Sequence, residues 1–237
     1  RGRATRASLR RSPGARGELP LARHWTARPP VQPHAPSMQP LTASQRREVE
    51  QCEEAVRQAL EDARIKTLLS RVAQHHHVGD PDAFAEKHPA EALQRALFIH
   101  CRPCKSNGGD PEAAARGVLQ YPPVTVVLCT NVLAQQNVNE AVKGTLLHEL
   151  VHAFDFFVKG RDYGSCTDLA YSEVRANRES ECASWAGWPE WFRRRCAKSG
   201  AAMCASVLVD AADAMRCVNE VFDAAYSDRE PLDKPPP

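Results

Sequence analysis

The stretch "GTLLHELVHAFDFF" (residues 144–157) carries His148 and His152 four positions apart, with Glu149 beside the first. On an α-helix, residues four apart lie on one face. Both imidazoles can then address one tetrahedral ion, with Zn–N bonds of roughly 2.0–2.1 Å. Glu149 is placed to take a proton from a water that such an ion has made acidic, which is hydrolytic chemistry. Leu146, Leu147, Leu150, Val151, Ala153 and Phe154 surround the trio. The helix is therefore expected to be mostly buried. The plainer alternative is a pair of core histidines satisfied by hydrogen bonds.

A catalytic Zn2+ needs a third protein ligand and an open position. Asp155 follows His152 by three residues, but it lies seven beyond His148, about 10.5 Å of helix rise. No glycine follows His152 to bend the chain back toward it. Asp155 therefore reads as a supporting residue or an ion-pair partner, with Arg175 as its candidate. Glu173, in "SEVRAN", is the better third ligand. It falls on the next predicted helix, after a turn at "KGRDYGSC" (159–166) that lets that helix fold back. The small Ala176 permits close packing there. Glu179 and Glu181 are the alternatives, and a surface carboxylate is the ordinary reading of Glu173. Tyr163, Tyr171 and Arg175 are candidates for stabilising a tetrahedral oxyanion.

The elements that must position these residues follow from apolar spacing. Residues 41–73 read as one helix, with Val49, Cys52, Val56, Ala59, Leu60 and Ala63 recurring at three and four and Ser44 as N-cap. "HHHVGDPD" (75–82) reads as a solvated turn, since three adjacent histidines cannot share a helix face. A short helix over about 89–98 leads into a Gly/Pro loop at 100–112. "VTVVLCT" (124–130) is the best strand, apolar and β-branched. Helices are predicted over about 137–158, 168–186, 189–198 and 203–225, with an extended tail. The fold class is helix-rich α+β with one small sheet.

Nine cysteines in 237 residues (52, 101, 104, 129, 166, 182, 196, 204 and 217) suggest a disulfide-stapled fold from an oxidising compartment. Buried free thiols are the alternative. The odd number leaves one thiol unpaired if all bridges are internal. Cys101-x-x-Cys104 lacks a second pair at zinc-ribbon spacing and reads as structural disulfides. Residues 1–40 hold eight arginines against one acid, so this arm carries +7 and the rest of the +2 chain carries −5. The arm reads as disordered. Its composition fits a transit peptide, and equally a non-native segment upstream of Met38. Residues 41–237 read as a single domain. No apolar run approaches the ~20 residues of a membrane span. The acidic domain gives no reason to expect nucleic acid as a partner.

Read together, "HELVHAFD", "VVLCTN", "SEVRAN" and "SDREPLD" resemble a family of zinc metalloproteases of the mitochondrial intermembrane space, associated with the inner membrane. The likeness runs from Cys52 to Asp233. It implies a zincin-like metalloprotease domain that binds one Zn2+ through His148 and His152, with Glu149 catalytic. It also implies a protein substrate, the precursor of an ATP synthase membrane-sector subunit, and a role in assembling that sector. Peripheral association with the inner membrane and internal disulfides belong to the same expectation. Tyr171 and Ala225 stand where the family has cysteines, consistent with one bridge deleted if those two pair. A non-proteolytic assembly chaperone with a structural zinc site is the alternative.

Overall fold

The computed structural model describes residues 40–76, 97–104, 115–120 and 124–232. Of the predicted arm (1–40), turn (75–82), helix (89–98), loop (100–112) and tail, residues 1–39, 77–82, 89–96, 105–112 and 233–237 lie outside the described residues; His75 and His76, predicted in the turn, continue a helix instead.

The stretch predicted as one helix over 41–73 forms two, α1 (Ala43–Ala59) and α2 (Ala63–His76). Thr42, rather than Ser44, caps α1, through a reciprocal capping box with Gln45. The break has a local cause. Asp62 opposes the negative end of a helix dipole, but at a helix start its Oδ1 can accept from the Arg64 amide, as it does here at 2.9 Å. Splitting the helix lets Cys52, Val56 and Ala59 enter the same core as Ile65, Leu68 and Val72.

Strand β1 (Phe98–Arg102) lies where a helix end and a loop were predicted. Its exposure alternates residue by residue, and Ile99 and Cys101 pack on the core. This period of two was hidden by the flanking Gly/Pro-rich sequence. β1 runs parallel to β3 (Thr125–Cys129), and β2 (Gly117–Gln120) runs antiparallel to it on the other side. The order is therefore β1-β3-β2, with every residue of the central strand buried.

After a short helix α3 (Thr130–Leu133), α4 (Val138–Phe157) carries the His-Glu-x-x-His motif. Gly160, at φ 66°, takes the left-handed conformation that ends the turn after α4 at little cost. α5 (Cys166–Glu179) begins at Ser165, whose hydroxyl accepts from the Asp168 amide. It ends earlier than predicted, at Ser180, where the backbone leaves helical geometry. A 3-10 turn (Ala183–Trp185), α6 (Glu190–Ala205) and α7 (Ala211–Ser227) complete the chain.

Two large apolar clusters and two small ones form among the described residues. The larger joins α1, α2, the sheet and α4 through Leu146, Leu147, Leu150, Val151 and Phe154. The second joins α5, α6 and α7 through Ala170, Val174, Ala201, Val218 and Phe222. Four disulfides staple them: Cys52–Cys101, Cys104–Cys129, Cys166–Cys217 and Cys182–Cys196. Bridges of this kind typically contribute about 2–4 kcal/mol each. Cys101 and Cys104 thus each join a distant cysteine. Tyr171 packs against the cluster that contains Ala225. No described helix is long and apolar enough to cross a membrane.

Candidate metal centre and active site

α4 is buried on nearly every side, so its few polar residues must find partners within the protein. Glu149, His152 and Asp155 are all buried. Their partners come chiefly from α5, which packs on the face that His148 and His152 share.

Glu173 reaches both histidines. Its Oε2 lies 3.5 Å from His148 Nε2 and its Oε1 lies 3.6 Å from His152 Nε2. These separations are long for hydrogen bonds. Each is close to the edge of about 3.3 Å between donors bound roughly 2.0–2.1 Å from a tetrahedral ion, the two running to different oxygens of the carboxylate. Two imidazoles and a carboxylate are also a donor set that suits zinc. On both counts the residues present fit a zinc ion.

The far side of each imidazole is held. Tyr163 donates its hydroxyl proton to the His152 carbonyl oxygen at 2.7 Å and accepts from Ser172 Oγ at 2.8 Å. Ser172 has then spent its own proton, so it must accept from His152 Nδ1, also at 2.8 Å. This order places the His152 proton on Nδ1 and leaves the Nε2 lone pair facing Glu173. His148 Nδ1 faces Ser180 Oγ and Glu181 Oε2, each at 3.3 Å. A carboxylate behind a ligating histidine is a common device for fixing ring orientation.

Charge follows from this packing. Burial pushes the Glu149 carboxyl up to about 7 and the His152 imidazole down to about 4. Burial alone would also lower His148, but Glu173 and Glu181 outweigh it and hold that imidazole well above its ordinary value. The Leu119 amide of β2 donates to the Glu149 carboxylate. Gly117 makes this approach possible, because a Cβ there would meet Thr145 Cγ2 at 2.5 Å and Glu149 Oε1 at 3.3 Å.

The sequence profile of the peptidase M76 family matches residues 50–233. The chain belongs to that family. This M76 chain is similar to proteins named mitochondrial inner membrane protease atp23. The one from Botryotinia fuckeliana is 32% identical over 150 residues, covering 57% of this chain and 59% of the relative. Those from Sclerotinia sclerotiorum and Aspergillus clavatus are 31% and 29% identical, over 57% of this chain and 59% and 58% of their own lengths. The chain therefore spans less than two thirds of the curated relatives it matches. No solved structure matches it.

In this M76 fold Asp155 and Arg175 form a fully buried ion pair, apart from the three convergent groups. Arg175 also holds the C-terminal segment, donating to the backbone carbonyls of Asp228 and Glu230. Of the three oxyanion candidates, none is free to face the Nε2 side. Tyr163 is engaged behind His152, Arg175 is in the buried pair, and Tyr171 donates to Asp228 at 2.8 Å beneath a stacked Arg161. Glu179 pairs with Arg178. Two contributors had no signal in residue spacing: Ser172 and the edge of β2. Ser172 was adjacent to Glu173 in a quoted motif, and its small polar side chain was the available clue.

Proposed function

We propose that this chain is a zinc-dependent endopeptidase, with His148, His152 and Glu173 holding the metal and Glu149 as general base. The observation that carries it is the approach of one carboxylate to both Nε2 atoms at near-tetrahedral separations. Bound there, zinc would supply Lewis acidity, polarising a peptide carbonyl and making a water acidic enough to attack it near neutral pH. Glu149 takes the proton of the attacking water and delivers it to the departing amine. In the metal-free site burial raises this carboxyl to about 7, and a proton carrier works best near the operating pH. Among the described residues β2 is an edge strand beside Glu149. An extended peptide added to that edge would lie along the catalytic carboxylate.

The relatives' printed names support a protease of the mitochondrial inner membrane. The resemblance read from the sequence adds the substrate, an ATP synthase membrane-sector precursor matured near its N-terminus, together with help in assembly. Four disulfides agree with the oxidising intermembrane space. Peripheral attachment is supported by exposed Trp188 and Trp191, 52% and 66% accessible, which form a ring cluster with Trp185 and Phe192 beside Arg193, Arg194 and Arg195. Tryptophan with arginine suits the headgroup region of an anionic membrane. The decisive experiment compares wild type with Glu149→Gln. The variant is expected to bind one zinc per chain and cut no precursor peptide, and retained cleavage would refute the assignment.

One observation favours the second reading, an assembly factor with a structural zinc. A thiol, Cys204, lies beside the ligand set, and closed sites are characteristic of structural zinc.

A further inference from the structure

Four disulfides consume eight cysteines and leave Cys204, on α6, as the free thiol. Its Sγ lies with a nitrogen of His148 and a carboxylate oxygen of Glu173 in a group whose three atoms are all within 4.8 Å of one another. Three helices, α4, α5 and α6, each contribute one donor.

Two features on α5 and α6 build this position. Gly200 lies four residues before Cys204 and so on the same face of α6. A Cβ on Gly200 would meet Asn177 Oδ1 at 2.2 Å, so the missing side chain is what allows α6 to come this close to α5. Asn177 then turns its amide toward the donors. Nδ2 donates to the Glu173 carbonyl at 3.0 Å, lies 3.4 Å from Glu173 Oε2 and points at Cys204 Sγ from 3.9 Å. Without a metal, burial and the Glu173 carboxylate push the Cys204 thiol up to about 11 despite the Asn177 N–H, so the sulfur becomes a thiolate only on ligation.

We propose that Cys204 is a further ligand of the metal position, its thiolate entering as a fourth protein donor beside His148, His152 and Glu173. The inference rests on the zinc reading above and adds a closed state to it. On ligation the thiol proton goes to solvent, a sulfur–metal bond forms, and nothing is oxidised or reduced. The sulfur then competes with water or substrate for the position a catalytic site keeps open. A soft thiolate donor also biases the position toward zinc and against magnesium or calcium.

The test uses the full chain, stripped of metal with its disulfides intact and loaded with one equivalent of cobalt(II). Wild type is expected to show tetrahedral cobalt bands together with sulfur-to-cobalt charge transfer in the near ultraviolet. Cys204→Ala is expected to keep bound cobalt and lose the charge-transfer band. In parallel, iodoacetamide should label one thiol per metal-free chain, and zinc should slow that labelling by at least about tenfold, since a ligated thiolate is no longer free to attack. Bound cobalt without the band, the same band in Cys204→Ala, or zinc-independent labelling overturns the inference and leaves the zinc reading standing. A folded chain that binds no cobalt or zinc overturns both.

Discussion

Ser172→Ala tests the hydrogen-bond chain behind His152. The hydroxyl accepts from His152 Nδ1 at 2.8 Å and donates on to Tyr163, whose proton returns to the His152 carbonyl. Alanine removes the acceptor and leaves a buried Nδ1–H unsatisfied. The imidazole then gains by moving its proton to Nε2, the atom that faces Glu173. Loss of such a supporting partner typically lowers metal affinity about 10–100-fold, or roughly 1.4–2.7 kcal/mol. Competition between the metal-free chain and a chromogenic zinc chelator reads this directly. Tyr163→Phe separates affinity from packing, because it removes the proton reaching the His152 carbonyl and frees the Ser172 proton, but leaves the Ser172 oxygen in place to accept from Nδ1 once Nε2 binds metal. It should destabilise the metal-free chain by about 1 kcal/mol while changing zinc affinity far less than Ser172→Ala. If Ser172→Ala binds zinc within about threefold of wild type, below the usual floor for such partners, the tautomer assignment is wrong.

Three further outcomes follow from other parts of the molecule. Asp155→Ala removes the fully buried partner of the Arg175 guanidinium and leaves it Asp228 and two backbone carbonyls, so it should cost about 3 kcal/mol in urea unfolding, the low end for breaking a buried pair; a loss under about 1 kcal/mol would show that the pair is not truly desolvated. Asp228 is held at a pKa of about 2, because Lys159, Arg175 and Tyr171 outweigh the opposing effect of burial. Its folded pKa is depressed, so its contribution, about 1–2 kcal/mol after solvent screening, is present above about pH 4 and lost as pH falls toward 2. The stability gap between wild type and Asp228→Asn should shrink over that window, and a constant gap would refute it. Trp188→Ala with Trp191→Ala should reduce sedimentation with anionic vesicles by about tenfold, given the apolar area the two rings can insert; unchanged binding would remove this surface as the membrane contact.

Much of the fold and family was legible because the relevant signals are local. The His148–His152 spacing, the apolar stripe of α4 and the β-branched run of β3 each lie within a few residues. The helix geometry that set Asp155 aside and turned attention to Glu173 needed only the rise per residue and a turn of the right length. What could not be read depended on contacts across the chain. Glu181 was named as an alternative ligand, but its place behind His148 Nδ1, 33 residues away, was not legible, and Cys204 comes near Glu173 only because Gly200 lets two helices close together. β1 and β2 are short, and their pairing with β3 supplies what their own sequences leave weak. The α1–α2 break was readable in principle, since Asp62 before an apolar-periodic run is a helix-start signal.

The disulfides divide the chain in a way that bears on how it matures. Two bridges lie within the part containing α1, the sheet and the start of α3. The other two lie within the part containing α5, α6 and α7, and none joins the parts. His148 and His152 stand on α4, packed into the first part, while Glu173 and Cys204 stand on the second. Each bridge therefore ties one part internally, and only the packing of the two parts brings His148, Glu173 and Cys204 together. On the proposed function, metal capture would follow the docking of the two parts: a chain with every bridge formed but its halves misaligned would hold no ion between His148, His152 and Glu173.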